Sequence, residues 1–214
     1  MEGYIITHPV QHELVVEKSR FLCTLRRAVT EAEAQASIRE LKKEYWDATH
    51  NCSAYIIGTS PRAERSNDDG EPSGTAGSPM LEVLRQKKIY NVVAVVTRYF
   101  GGIKLGAGGL TRTYARSVSE AVQAAGLSVV IPMARYTLSW PLDDVGRVLN
   151  QLYRQSLFTV ADVHYGNVAA IFLEMPAADK VAAEQWLTET LSRKIDLGEG
   201  AAFQAEQVVV PPLS

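Results

Sequence analysis

Residues 91–126, NVVAVVTRYFGGIKLGAGGLTRTYARSVSEAVQAAG, place a strand, a glycine-rich turn and a helix in direct succession. Residues 91–97 form an apolar run of strand length, and residues 110–125 carry an apolar stripe at helical spacing. Gly126 is a typical helix stop. The segment therefore predicts a mixed α and β fold in which a buried strand leads into a helix.

Strands and helices also alternate upstream of this segment. The expected elements are one or two strands within residues 12–26, a helix over 31–45, a strand over 52–57 and a short helix that starts at Ser78-Pro79 and ends at Gln86. Residues 58–78 contain no large aliphatic or aromatic side chain. We expect them to form a long functional loop, because a segment of that composition cannot build a core.

A second module follows in the order strand, helix, strand, strand, helix, strand. Its expected elements are a strand over 135–140, a helix capped by Asp143 or Asp144, a hairpin of 157–165 and 168–175, a helix over 177–193 and a strand over 203–210. This order is the split βαββαβ of a ferredoxin-like domain. We expect an α+β protein of two domains, 1–132 and 133–214.

Composition excludes several classes of protein. The chain has 214 residues, of which 46% are hydrophobic and 21% charged, as is usual for a folded globular protein. It contains no apolar segment long enough to span a bilayer, and residues 1–10 do not resemble a secretory signal. Cys23 and Cys52 belong to no C-x-x-C pair, which argues against a zinc ribbon or a thioredoxin-like site. We expect a cytoplasmic protein.

The two modules differ in charge. Residues 1–132 contain 16 basic and 14 acidic residues, a net charge of +2, whereas residues 133–214 contain 6 and 10, a net charge of −4. Because phosphate binding is largely electrostatic, the first module is the better candidate for contact with nucleic acid.

The main candidate site is the glycine-rich segment 98–112. Its glycines would free backbone amides to bind an anion at a helix N-terminus, and cations lie beside them. The candidate residues are Arg98, Gly101, Gly102, Lys104, Gly106, Gly108, Gly109, Arg112 and Arg116. The P-loop and Rossmann patterns both fail here, because Ala-Gly follows Gly106 and Thr111 stands where a third glycine belongs. The alternative is that the glycines only permit tight turns and close packing.

A second candidate is the polar stretch 66–80, SNDDGEPSGTAGSPM. Asp68, Asp69 and Glu71 carry carboxylates that could hold Mg²⁺ beside a substrate phosphate. The stretch, with Gly70, Gly74 and Thr75, could instead cover a site, dock a partner protein or be a solvated loop.

Two smaller features complete the candidates. His50 precedes a predicted strand and could act as acid, base or anion ligand, although a lone histidine is more often structural. Lys18 and Arg20 flank a serine and precede Phe21, a plausible phosphate and base contact. In a strand, however, both cations would share one face, which simple amphipathic patterning explains equally well.

Four blocks together resemble the YigZ/IMPACT family over essentially the whole chain. They are Lys18 to Phe21, His50 to Cys52, residues 66–77 (SNDDGEPSGTAG) and residues 98–110 (RYFGGIKLGAGGL). The resemblance implies an N-terminal IMPACT domain with the fold of the second domain of a small-subunit ribosomal protein. It also implies that the ferredoxin-like domain is similar to the last domain of elongation factor G.

Eukaryotic members of that family inhibit the starvation-activated initiation-factor kinase by competing for its activator. They carry an additional RWD domain, which the resemblance does not predict for this chain. The kinase pathway does not exist in bacteria, so a link to translation is the part of that role that the resemblance transfers.

We therefore expect a binding protein, rather than an enzyme, that contacts RNA or the ribosome through its first module and takes part in regulating translation. One alternative is a magnesium-dependent enzyme acting on a nucleotide or phosphorylated substrate, and only that hypothesis calls for a cofactor, Mg²⁺. Another is a module that docks a protein partner through the acidic stretch. We expect no membrane partner, and the sequence indicates no oligomeric state.

Overall fold

The structure is a computed structural model that describes residues 3–59 and 62–209. Within these ranges it divides into two compact units, residues 3–129 with 207–209 and residues 130–206. The sequence places a domain boundary after Pro132, whereas the second unit begins at Val130, inside a strand. None of the described helices is long and apolar enough to cross a membrane.

The first unit is built on a five-stranded antiparallel sheet with the strand order β2-β3-β6-β4-β5. Its strands are β1 Ile5–Ile6, β2 Val10–Val16, β3 Ser19–Arg27, β4 His50–Ile57, β5 Ala63–Asn67 and β6 Val92–Tyr99. Its helices are α1 Glu31–Glu44, α2 Gly77–Gln86 and α3 Gly106–Ala125. The short strand β1 lies outside this sheet and pairs with the start of β7, Leu127–Trp140.

The central strands β4 and β6 are buried on both faces. Cys52, Ala54 and Ile56 point toward α2 and α3, whereas Tyr55 and Ile57 point toward α1. Because successive side chains of a strand alternate between faces, a strand covered on both sides must be apolar throughout. This explains the unbroken apolar run in β6.

Most predicted elements of the first unit are confirmed, and three differ. The predicted loop 58–78 contains β5, whose backbone pairs with β4 at the sheet edge although its side chains are polar. Helix α2 begins at Gly77 after Ala76, not at Ser78. Helix α3 begins at Gly106, four residues before the predicted start, because the glycines that suggested a turn adopt its first turn.

The second unit has the predicted ferredoxin-like order. After β7 come α4 Val145–Leu152, β8 Thr159–Tyr165, β9 Ala169–Pro176, a 3₁₀ turn Ala177–Asp179, α5 Lys180–Leu191 and β10 Ala201–Val209. The strands pair in the order β10-β7-β9-β8. The predicted last residue of the final strand, Val210, lies outside the described residues. The α+β fold class and the split βαββαβ are thus confirmed.

Candidate functional site

Several candidate residues converge at one end of the central strands of the first sheet. In the strand register, Arg98 of β6 lies opposite both Phe21 of β3 and His50 of β4. The chain between β5 and α2 contacts the same end, since Glu71 reaches Arg98 and Asp69 reaches His50. Sheet pairing therefore brings together three of the four sequence blocks that define the family resemblance.

Asp68 organises the turn that carries Glu71. Its carboxylate accepts backbone N–H groups from Gly74, Ala76 and Gly77 at 2.8, 3.1 and 2.8 Å. Burial acts to raise the pKa of Asp68, but these three bonds outweigh it and the pKa is lowered. Gly70 and Gly74 adopt positive φ angles in this turn. Asp68 is therefore occupied as a structural residue.

Asp69 fixes the same turn to neighbouring elements. Lys42 of α1 donates to Oδ1 at 2.5 Å, and the Asn51 N–H donates to Oδ2 at 2.6 Å. Burial acts to raise the pKa of Asp69, and the bonds from Lys42 and Asn51 reverse that effect and lower it. Thr75, named with this stretch, donates its hydroxyl to the Pro72 carbonyl at 2.6 Å.

Glu71 and Arg98 form a buried ion pair. Their side chains are 3% and 6% exposed, and Arg98 Nη1 donates to Glu71 Oε1 at 2.5 Å. Tyr114 Oη donates to the same oxygen at 2.8 Å, and burial followed by the neighbouring Cys52 and Glu71 raises the pKa of this tyrosine. Arg98 Nε has no hydrogen-bond acceptor among the described residues.

His50 has its ring fixed beside this pair. Nδ1 lies 2.9 Å from the Asp69 carbonyl, which can only accept, so Nδ1 carries a proton. Nε2 lies 3.8 Å from Glu71 Oε2. In the neutral ring Nε2 is therefore a hydrogen-bond acceptor.

The nearby thiol is not activated. Cys52 is buried, and burial raises its pKa to about 12. Cys23 is also buried and free, and burial raises its pKa as well.

The carboxylates considered for magnesium do not form a metal site. Across residues 3–59 and 62–209, no group of three or more His, Cys, Asp or Glu side chains could hold a metal ion. Asp68 binds backbone amides, Asp69 binds Lys42, and Glu71 binds Arg98. The arrangement does not fit Mg²⁺, which needs free carboxylate oxygens.

A cavity of about 440 Å³ opens above the buried pair. It is lined by Thr49, His50, Glu71, Pro72, Arg98, Phe100, Lys104, Leu105, Gly106, Ala107 and Leu110. We call it the Phe100 cavity, because this aromatic side chain is 47% exposed there. Its walls are mainly apolar and its few polar groups are close together, as in a small-ligand site.

A neighbouring cavity of about 540 Å³ lies along α3. It is lined by Val16, Glu17, Ile103, Lys104, Leu105, Gly109, Arg112, Thr113 and Arg116. We call it the basic cavity. Arg116 pairs with Glu120 at 2.7 Å, whereas Lys104 and Arg112 have no ion-pair partner in the part of the chain that the structure describes. Two free cations and one paired cation therefore share a concave surface.

Four of the five glycines of segment 98–112 divide into two roles, and Gly102 adopts a positive φ of 86°. A Cβ at Gly101 would lie 2.0 Å from the Lys18 carbonyl carbon, and the Gly101 N–H already donates to Ser19 Oγ at 3.1 Å. Gly101 therefore serves packing and offers no free amide. Gly106, Gly108 and Gly109 lie in the first turn of α3, where Leu105 provides no side-chain cap. The N–H groups of Gly106 and Gly108 precede the first hydrogen bond of the helix and can still face an anion.

The cations on the β2–β3 hairpin, Lys18 and Arg20, are not among the residues that line the two cavities. Lys18 occupies the turn with a φ of 64°, so it does not share a strand face with Arg20 as the pattern predicts. Arg20 pairs with Glu13 at 2.7 Å, and its guanidinium carbon lies 5.6 Å from the centre of the Tyr99 ring. Arg20 is thus already neutralised by a neighbouring carboxylate.

Phe100 and Glu17 are among the lining residues that the sequence candidates did not include. Phe100 lies between Arg98 and the glycines, and an aromatic residue beside a candidate anion site was the available signal. Glu17 has no such signal, because the hairpin turn alone brings it to the basic cavity.

The sequence of this chain is similar to those of known proteins. A sequence model of the Impact N-terminal domain matches residues 17–122. The IMPACT family member YvyE of Bacillus subtilis (strain 168) is 45% identical over 205 residues, covering 93% of this chain and 91% of YvyE. YigZ of Escherichia coli (strain K12) is 37% identical over 141 residues, covering 64% of this chain and 69% of YigZ.

A solved structure extends the likeness to the fold. The crystal structure of a hypothetical protein aligns with a TM-score of 0.57 and 26% identity, covering 100% of this chain and 98% of that chain. The resemblance seen in the four sequence blocks is thereby confirmed. The identity to YvyE, over nearly the full length of both proteins, shows that this chain belongs to the IMPACT family.

Proposed function

We propose that this chain is a cytoplasmic RNA-binding protein that contacts the ribosome or its RNA through the basic cavity and takes part in regulating translation. One observation carries the proposal. Lys104, Arg112 and Arg116 line a single cavity, and the first two have no ion-pair partner among residues 3–59 and 62–209.

Free cations in a concave surface favour a polyanion over a neutral ligand. An exposed lysine or arginine that neutralises a phosphate releases a counterion, and this release supplies much of the affinity for nucleic acid. The first turn of α3 adds backbone amides at the positive end of a helix dipole. Glu17 is the only acidic side chain among the residues that line the basic cavity.

Translation is the setting that family membership supports. The family resemblance implies that eukaryotic IMPACT proteins inhibit an initiation-factor kinase by competing for its activator. It also implies that the ferredoxin-like domain is similar to the last domain of elongation factor G. Both arguments rest on resemblance, and the cavity supplies the chemical basis for contact with RNA.

The test is binding to purified ribosomes and to single-stranded RNA over a salt series, for the native chain and Lys104→Ala. The logarithm of the affinity should fall linearly with the logarithm of the salt concentration, and Lys104→Ala should reduce this slope by about 0.7 for single-stranded RNA. The matched control is Lys43→Ala, which removes an exposed cation from α1 on the other side of the sheet.

The control should leave the slope unchanged. An unchanged slope in both Lys104→Ala and Arg112→Ala, or no binding at low salt, would overturn the proposal.

A further inference from the structure

The proposed phosphate contacts leave most of the Phe100 cavity unoccupied, including its aromatic wall. This cavity shares Lys104 and Leu105 with the basic cavity, so an RNA strand bound in one cavity lies next to the other. A polyanion held by Lys104 would therefore place its neighbouring groups beside an apolar, aromatic-lined space.

The walls of this cavity suit a flat aromatic ring. Phe100 is 47% exposed, and Pro72, Leu105 and Leu110 provide further apolar surface. The guanidinium carbon of Arg98 lies 5.6 Å from the centre of the Phe100 ring and helps to fix its orientation. Stacking on an aromatic side chain is how proteins hold unpaired bases of single-stranded RNA.

Hydrogen-bond acceptors are concentrated on one side of the cavity. In the neutral ring, His50 Nδ1 donates to the Asp69 carbonyl and Nε2 is an acceptor. Glu71 Oε2 lies 3.8 Å from that nitrogen, while Arg98 and Tyr114 both bind the other oxygen, Oε1. The polar groups on the side of the cavity formed by His50 and Glu71 therefore favour a ligand that presents N–H donors.

These two properties define the ligand. We propose that the Phe100 cavity receives one unstacked base of single-stranded RNA and prefers a base with an exocyclic amino group. The base stacks on Phe100, its amino group donates to Glu71 or His50, and the adjoining phosphate contacts Lys104. This inference rests on the proposed function, because the basic cavity has to hold the backbone.

The choice between cytosine and uracil follows from the same acceptors. Cytosine presents an amino group where uracil presents a carbonyl oxygen. If uracil occupied the cavity, its carbonyl oxygen would face the Glu71 carboxylate, and neither acceptor would have a hydrogen-bond donor. The two bases have the same ring size, so stacking does not distinguish them. Oligocytidine should therefore bind more tightly than oligouridine, by about tenfold, since a hydrogen bond to a charged group is worth that much.

The experiment measures fluorescence anisotropy of labelled oligocytidine and oligouridine of equal length, and of oligocytidine paired in a duplex. Phe100→Leu keeps an apolar side chain at an exposed position and removes the ring. It should weaken oligocytidine binding about tenfold and leave the salt slope unchanged. The matched control is Trp46→Leu, which removes an aromatic ring that is 81% exposed outside both cavities.

A second variant tests the polar contact. Glu71→Gln should abolish the preference for oligocytidine, and its thermal unfolding is measured alongside because the residue is buried. If Glu71→Gln unfolds, the base site is tested by Phe100→Leu and by the affinities of the native chain for oligocytidine and oligouridine.

The outcomes separate this inference from the proposed function. Equal affinity for oligocytidine, oligouridine and duplex, with no effect of Phe100→Leu, would overturn the base site. The RNA-binding function would then still stand if Lys104→Ala reduced the salt slope. Absence of any RNA binding would overturn both.

Discussion

At the scale of single residues, the buried pair of Glu71 and Arg98 is the feature that most constrains the site. Removing two charges from water is costly, and the cost is offset only when the pair is close and hydrogen-bonded. Here Tyr114 supplies the additional bond to the carboxylate. The pair therefore holds the turn of residues 68–76 against the end of β6.

Replacing only one partner of this ion pair should strongly destabilise the folded chain. Arg98→Met leaves Glu71 buried without its cation, so we expect the free energy of unfolding to fall by about 3–5 kcal/mol. The measurement is denaturant unfolding. The double variant Arg98→Met/Glu71→Leu should lose less, because no buried charge is left unpaired. The control Arg65→Met breaks an exposed pair with Glu31 and should change stability by less than about 1 kcal/mol. Native stability in Arg98→Met would contradict this account.

At the scale of elements, the glycine-rich segment after β6 packs directly on the β2–β3 hairpin. The Gly101 backbone approaches the turn so closely that no side chain fits between them. This contact holds the hairpin beside the start of α3, and Val16 and Glu17 thereby become part of the basic cavity.

Two glycines in the same segment should respond differently to a methyl group. Gly101→Ala places a Cβ 2.0 Å from the Lys18 carbonyl carbon, so the hairpin or the segment has to move. We expect a loss of a few kcal/mol in thermal or denaturant unfolding, as for overpacking. In Gly108→Ala the nearest atom is Arg112 Nη1 at 3.6 Å, the end of a flexible side chain. Because alanine is the better helix former, this control should be neutral or slightly stabilising. Equal destabilisation by both changes would refute the packing role of Gly101.

These elements also show what a sequence can predict. The apolar runs of β4 and β6 and the stripe of α3 are local patterns, and they predict the right elements. Strand β5 was missed because an edge strand needs only backbone pairing, and its polar residues show no alternation. The start of α3 was missed because Gly106, Gly108 and Gly109 favour a turn when considered locally.

The site follows the same rule. Its residues could be found from the sequence because glycines, cations and carboxylates stand out. Their contacts could not, since Glu71 and Arg98 meet only through the fold. The carboxylates that suggested a metal site are therefore structural residues whose amide and cation partners come from other parts of the chain.

At the scale of the whole molecule, both units contain carboxyl groups with lowered pKa values. Arg116 and His12 lower the pKa of Glu120 in the first unit, and Arg147 lowers that of Asp144 in the second. For Asp68 the backbone bonds outweigh the opposing effect of burial. Each of these groups binds its proton less readily in the folded chain than in the unfolded chain.

Stability should therefore decrease in acid. A carboxyl group whose pKa is lower in the folded chain than in the unfolded chain stabilises the folded state at pH values above its unfolded pKa, which is 3.8 for Asp and 4.5 for Glu. This stabilisation is lost as the pH falls through the pKa of the group in the folded chain. We expect the urea midpoint to fall as the pH drops below about 4.5. Asp68→Asn should be less stable than the native chain at neutral pH, and the difference should shrink on acidification. A constant difference over the whole range would contradict the role of Asp68.

The buried thiols have a practical consequence for studying the chain in solution. Cys23 and Cys52 are the only cysteines, both are buried, and burial raises the pKa of each. A maleimide dye applied at neutral pH should therefore not label either native cysteine of the folded chain. The exposed Ala107 lines the Phe100 cavity, so Ala107→Cys would carry a single fluorophore at its entrance with both native cysteines left in place.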